Sequence, residues 1–362
     1  MPKEKNTFQK LIPMLVGGGV GLVIGYFGAE YFLTDLQNFM DSAPNLLVAI
    51  LLGILAFFLV ILIHELGHLA GGLLMGDEFS FLSVGPFKVQ KEDGQFHFQL
   101  LKSTSALGLA LTLPTKVEGY KKRRLVTIAG GPFASLVLAL GSFSLAPILA
   151  PFFLNLLGGF SSFIFLMTAI PAKAGGMLTD GMQILMTLRN DAKGKQYGDF
   201  MHLFALDQKG MLPKDYPLSF MNPYEKEELE DIYDIGFAQK FYHKALDAGD
   251  LEKAKKYISQ IEENYTLYPP VFHIELLAEV ACYYSFHQPD PEKFQAIMAQ
   301  TNGKLPKMSQ LFANYFQAAI AHSKGDKEQT ALLLNKVIAS TKKDGVAKMY
   351  RNFASDFNSS LG

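Results

Sequence analysis

The chain has 362 residues, enough for two domains of ordinary size, and 49% of them are hydrophobic, a share that leans toward a membrane protein. Its 33 Lys and Arg nearly balance 34 Asp and Glu for a net charge of −1, so no basic surface supports a nucleic-acid partner. The single cysteine, Cys282, cannot form an internal disulfide, and among apolar helical neighbours it reads as a buried, inert thiol suited to a reducing cytosol.

Long apolar runs are confined to the first 190 or so residues, and the remainder, rich in Lys, Glu, Asp and Tyr, reads as water-soluble. The expected organisation is a membrane domain over residues 1–195, a linker over 196–235 and a cytosolic helical domain over 236–362. The fold class is mainly α: a polytopic membrane protein with four transmembrane segments, a small β-hairpin and a soluble α-helical repeat domain. A membrane helix needs roughly 20 apolar residues, and four stretches qualify: 11–29, 46 to about 74, 125 to about 153, and 158–188. The first is read as retained rather than cleaved, because its apolar run is long for a signal peptide. Its Gly17, Gly21 and Gly25 would let another helix pack closely. Lys3, Lys5 and Lys10 precede the first span, Lys121 to Arg124 precede the third, and Arg189, Lys193 and Lys195 follow the fourth, whereas residues 30–45 and 151–159 contain no Lys or Arg. The positive-inside rule then places the protein in the cell membrane, multi-pass, with both termini in the cytosol. The lipid bilayer is its first partner.

The second stretch carries the chemistry. Residues 46–63 are apolar or glycine without interruption and end in His64, Glu65 and His68, the only ionisable side chains between residues 42 and 76. Burying a charged group in lipid costs roughly 2.5–3.5 kcal/mol even on lenient insertion scales, and a metal ion is the natural compensation. Side chains four apart share one face of a helix, so His64 and His68 can offer both imidazoles to one ion. Glu65 is placed to polarise a water on that ion and carry its proton to a leaving amine. A catalytic zinc needs a third protein donor. Asp180 is the one acidic residue between 125 and 188, and it follows a break in the fourth stretch, where irregular backbone is tolerated if it lines a wet cavity. Its alternative role is to cap the helix at 181–188. Lys173, the one basic residue near that break, either snorkels to the surface or sits in the cavity.

Residues 79–100 alternate apolar with polar around Lys91-Glu92-Asp93-Gly94, a hairpin pattern. An edge at Phe87 or Val89 could hold a substrate as an added strand, although a plain membrane-surface hairpin is the equal alternative. His97 in the second strand reads as a surface histidine. The apolar run 106–113 is too short to span and is expected to dip into the membrane. From Gly236 the pattern is helical hairpins, and Asp250-Leu251-Glu252-Lys253 recurs as Asp290-Pro291-Glu292-Lys293 and more loosely as Asp326-Lys327-Glu328-Gln329. This spacing resembles tetratricopeptide-type repeats. Such stacks can recruit a cytosolic protein partner, the alternative being a solvated helical cap.

The chain resembles the site-2 protease family of intramembrane zinc metalloproteases over residues 46–190. The residues that carry the resemblance are His64-Glu65-Leu66-Gly67-His68, Gly130-Gly131-Pro132, and Asp180-Gly181 after Pro171. The resemblance implies Zn2+ on His64, His68 and Asp180, Glu65 as general acid/base, and hydrolysis of a peptide bond within or next to a transmembrane segment of a protein or peptide substrate. Two family asparagines are replaced by Ser135 and Thr168, whose shorter reach alters how substrate or oxyanion would be positioned. The interval from Pro171 to Asp180 is also longer than the usual family pattern, and no PDZ-like insertion is evident; these departures suggest an outlying bacterial branch. Substrate-binding residues are not assigned. The alternative is a catalytically silent membrane adaptor working through the repeats, against which the complete set of four site residues argues.

Overall fold

The computed structural model describes residues 33–41, 46–92, 95–100, 107–115, 119–174, 177–306 and 309–361. Two compact units emerge: Met1–Gly67 with Gly130–Thr168, and His68–Ala129 with Ala169–Gly362.

The first unit is helical. Helix α1 (Leu46–Leu74) is sorted by size: Ala49, Ala56 and Val60 are buried, whereas Leu47, Ile50, Leu51, Ile54 and Leu55 point outward. Small residues inward and leucines outward is the arrangement of a helix that packs closely on protein and meets lipid elsewhere. Its inward face packs with Phe152, Leu156 and Leu157 of helix α3 (Pro151–Ala169). Phe39, in the helical segment 33–41, stacks on Phe152 with ring centroids 4.4 Å apart, and Asn155 donates to Asp35 at 2.6 Å. Helix α2 (Tyr120–Leu145) passes so near α1 that a Cβ on Gly67 would collide with the Gly130 carbonyl. The glycine inside the HELGH motif is therefore a close-approach residue.

In the second unit, Gly71 repeats this: an added Cβ would lie 2.6 Å from the Val126 carbonyl. Past α1 come four strands, β1 (Glu78–Val84), β2 (Phe87–Glu92), β3 (Gln95–Leu100) and β4 (Gly108–Leu113), in an antiparallel sheet of order β3-β2-β1-β4. Asp77 accepts from Thr112 at 3.2 Å and pairs with Arg123, tying the sheet to the start of α2. After α3, the two short strands β5 (Lys173–Ala174) and β6 (Met177–Leu178) pair antiparallel and lead into helix α4 (Asp180–Leu188). Then follow α5 (Ala192–Gln208), three 3-10 turns, and α6 (Ile232–Asp247), α7 (Leu251–Asn264), α8 (His273–Cys282), α9 (Pro291–Thr301), α10 (Gln310–Ser323), α11 (Lys327–Ile338) and α12 (Gly345–Leu361).

Helices α6 to α11 pack in consecutive pairs. The recurring aspartates open the second helix of each pair: Asp250, Asp290 and Asp326 accept from the backbone N–H of Lys253, Lys293 and Gln329. Each such cap contributes about 1 kcal/mol. The core behind them holds Phe237, Ile258, Ala278, Phe316 and Leu334, all fully buried. Within it, burial pushes the Glu279 carboxyl up, but the His243 charge and hydrogen bonds from His243, Gln239 and Tyr350 outweigh that and leave it below its ordinary value. Burial raises the Cys282 thiol well above its usual range, which fits an inert core cysteine.

Several expectations change. Among the described residues three helices, not four, are long and apolar enough to cross a membrane: α1, α2 and α3. The span expected at 11–29 lies outside the described residues, as does its glycine repeat. The stretch expected at 158–188 ends as a helix at Ala169, because Pro171 denies the chain an intrahelical donor and biases the residue before it away from helix. The expected hairpin is two strands of a larger sheet. Residues 108–113 form its strand β4 instead of a membrane dip, because alternation along Gly108–Leu113 suits pairing with β1. Phe87 and Val89 lie on an interior strand, so the free edges among the described strands are β3 and β4. In the segment expected as a linker, 196–235, the rest of α5 and three 3-10 turns bury Leu203, Tyr216 and Met221 in the core.

Candidate metal centre

The centre begins on α1. His64 and Glu65 are 5% and 8% exposed, and His68 stands one helical turn beyond His64 on the same continuous helix. His68 Nε2 lies 3.5 Å from Asp180 Oδ2. One donor atom each from His64, His68 and Asp180 falls within 4.8 Å of the others. Two ligands on a tetrahedral ion with bonds of about 2.0–2.1 Å stand about 3.3–3.4 Å apart, so the His68–Asp180 spacing fits a shared ion.

The outer contacts fit as well. His68 Nδ1 donates to the Thr127 carbonyl at 3.0 Å, and a carbonyl only accepts, so the proton sits on Nδ1 and the Nε2 lone pair faces Asp180. His64 Nδ1 lies 2.9 Å from Ser135 Oγ, and Ser161 donates to the Ser135 carbonyl at 2.8 Å. Ser135 and Ser161 are fully buried. A metal-ligating histidine almost always commits its second nitrogen in this way, which sets tautomer and ring orientation.

Asp180 is held by local chain geometry. Thr179, not Asp180, is the N-cap of α4 and accepts from Met182 N, which leaves Asp180 as the first helical residue and free of the capping role. Thr179 Oγ1 also donates to the Ile170 carbonyl at 2.7 Å and accepts from Ala172 N at 3.0 Å, closing the chain between α3 and α4. A Cβ at Gly181 would collide with the Ala169 carbonyl, so the aspartate-glycine pair is needed for α4 to start against the end of α3.

All three proposed ligands are thus gathered. Ser135, which stands in place of a family asparagine, makes its side-chain contact with His64. Thr168 Oγ1 turns back to the Ile164 carbonyl at 2.9 Å in its own helix. Lys173 is exposed at the start of β5, and His97 is exposed on β3. Sequence reasoning had no means of finding Thr127, whose contribution is a backbone carbonyl.

A helix bearing HExxH, joined by a distant carboxylate, has the donor set of a metal-dependent hydrolase site, and here its histidines stand on a helix long and apolar enough to cross a membrane. The chain belongs to peptidase family M50, whose sequence model matches residues 52–348. That family, the site-2 protease family, makes it a metalloprotease associated with membranes. No curated protein and no solved structure matches the chain significantly.

Proposed function

We propose that the chain is an intramembrane zinc endopeptidase that hydrolyses a peptide bond within or next to a transmembrane segment. The observation that carries this reading is the convergence of His64, His68 and Asp180 within 4.8 Å at the polar end of an apolar helix. His64, His68 and Asp180 hold the zinc. When bound, zinc supplies Lewis acidity that polarises the scissile carbonyl and makes water nucleophilic near neutral pH. Glu65 takes the proton from the attacking water onto its carboxylate and delivers it to the leaving amide nitrogen. The Thr127 carbonyl and Ser135 hydroxyl keep the Nδ1 protons of both imidazoles in place through the cycle. Basic flanks at Lys121 to Arg124 and Arg189 to Lys195, against residues 30–45 and 146–150 without Lys or Arg, support a centre near the cytosolic face with both termini in the cytosol. The capped helical pairs fit a tetratricopeptide-like stack that recruits a cytosolic partner. Treating purified protein with a zinc chelator should abolish cleavage of a single-span substrate, and added Zn2+ should restore it. Cleavage that persists after the metal has been stripped contradicts the reading.

A substrate helix hides its scissile carbonyl, so it must be drawn out, and a sheet edge can hold it extended. Strand β4 is the edge that supports this: the Thr112 side chain fills the space beside Gly72, one turn past His68 on α1. Consecutive residues direct their N–H groups to opposite sides of a strand, so proline at Leu109 or at Ala110 removes an outward donor. One of these variants should cleave at least about tenfold more slowly with zinc retained, since a lost strand hydrogen bond and local distortion together cost more than about 1.4 kcal/mol. Wild-type turnover in both would dismiss strand addition at β4.

A further inference from the structure

Arg124, on α2, is half-buried and held by groups from two other elements. Its Nη2 donates to Gln183 Oε1 on α4 at 2.8 Å, and its Nε donates to Tyr197 Oη on α5 at 2.9 Å. The guanidinium also lies over the Tyr197 ring, 5.3 Å from its centroid. Gln183 passes the contact on, because its Nε2 donates to the Leu178 carbonyl at 3.3 Å, two residues before Asp180. Three residues after Arg124, Thr127 holds His68. One turn of α2 therefore fixes both His68 and the entry to the helix that carries Asp180.

The other end of this chain of contacts leads into the helical region. Tyr197, 3% exposed, meets Tyr233 of α6 edge to face, with centroids 5.7 Å apart. Leu178 and Met182 pack around the same cluster. Phe200, about one turn along α5, packs on both Tyr233 and Phe237 at 6.0 and 5.6 Å, and Phe237 is fully buried in the core of the helical region. A tilt of α6 would reach Tyr197 by packing, and Tyr197 is bonded to the residue that clamps α4.

We infer that Arg124 is a positioning residue that couples the helical region to the metal centre: through Gln183 it sets the distance between Asp180 and His68, and through Tyr197 that distance responds to whatever the helical region binds. The inference rests on the reading of His68 and Asp180 as metal ligands. A single ammonium cannot serve two acceptors in a planar fork, so lysine cannot replace this arginine.

The test is the Zn2+ dissociation constant of the purified full chain, measured by competition with a chromophoric chelator, for wild type, Arg124→Gln, Arg124→Lys, Tyr197→Phe and Glu65→Gln. Loss of an outer-shell partner weakens metal binding by about 10–100-fold. Arg124→Gln and Arg124→Lys are expected at about tenfold, both alike, because the fork rather than the charge matters. Tyr197→Phe keeps the ring against Tyr233, so its fold is retained, and it is expected to lose severalfold affinity. Glu65→Gln should bind as wild type does. Wild-type affinity in Tyr197→Phe, or full recovery in Arg124→Lys, overturns the coupling while leaving the metal centre intact. A wild-type chain that binds no Zn2+ overturns both, and a chain that binds Zn2+ but cleaves nothing removes the peptidase reading alone.

Discussion

Glu65→Gln is expected to reduce peptide hydrolysis by about 10²–10⁴-fold, the usual contribution of a positioned general acid/base, while zinc content stays at the wild-type level. Glutamine has nearly the same shape and still accepts hydrogen bonds, but its amide cannot take the proton from water or return it to the leaving nitrogen. His64 and His68 keep their Nδ1 contacts with Ser135 and Thr127, neither of which involves residue 65. Metal content by elemental analysis and release of cleaved membrane peptide should therefore part company in this variant. Comparing the peptides released by wild type and by Glu65→Gln in membranes would also identify the substrate. Undiminished cleavage in the variant would rule out Glu65 as the proton carrier.

Asp180→Ala should act on the metal itself. Among the described residues the carboxylate is the one acidic donor grouped with the two histidines, and without it zinc is left with two protein ligands where catalytic sites use three. The affinity loss should exceed the about 10–100-fold typical of an outer-shell partner, with proteolysis falling alongside. Asp180 does not cap α4, because Thr179 does so, so the variant should keep its helix content and unfold near the wild-type temperature. His68→Ala belongs to the same class, with the added loss of the hydrogen bond to the Thr127 carbonyl. An Asp180→Ala protein that holds zinc at wild-type strength would remove this residue from the ligand set.

The contrast between these variants follows from what is local and what is not. His64 and His68 were recognisable because a helix stacks residues four apart and because lipid leaves so few reasons for polar side chains there. Asp180 was recognisable because it had no acidic competitor nearby. The repeated aspartates at 250, 290 and 326 were visible as a pattern, although their work as helix N-caps emerged only once the helix starts were placed. Strand number was underestimated: periodicity marked β2 and β3, whereas β4 reads by composition as a short apolar run, and a pairing partner distinguishes such a run from a membrane-seeking one. The break after α3 was expected from Pro171, but the helical bounds at Ala169 and Asp180 depend on Thr179 and Gly181 fitting against the α3 terminus.

By itself, then, the sequence determined the donor types, their helical spacing and the apolar surroundings that make a metal the compensating partner, because periodicity and desolvation act residue by residue. Tertiary structure alone decided which atoms hold those donors. The Ser135 contact with His64 spans 71 positions and the Thr127 contact with His68 spans 59, and such bonds exist only where glycines at 67 and 71 let two helices come close enough for side chain to meet backbone. Hydrogen bonding is short-ranged and directional, so its partners are settled by how the chain packs and leave no periodic trace along it.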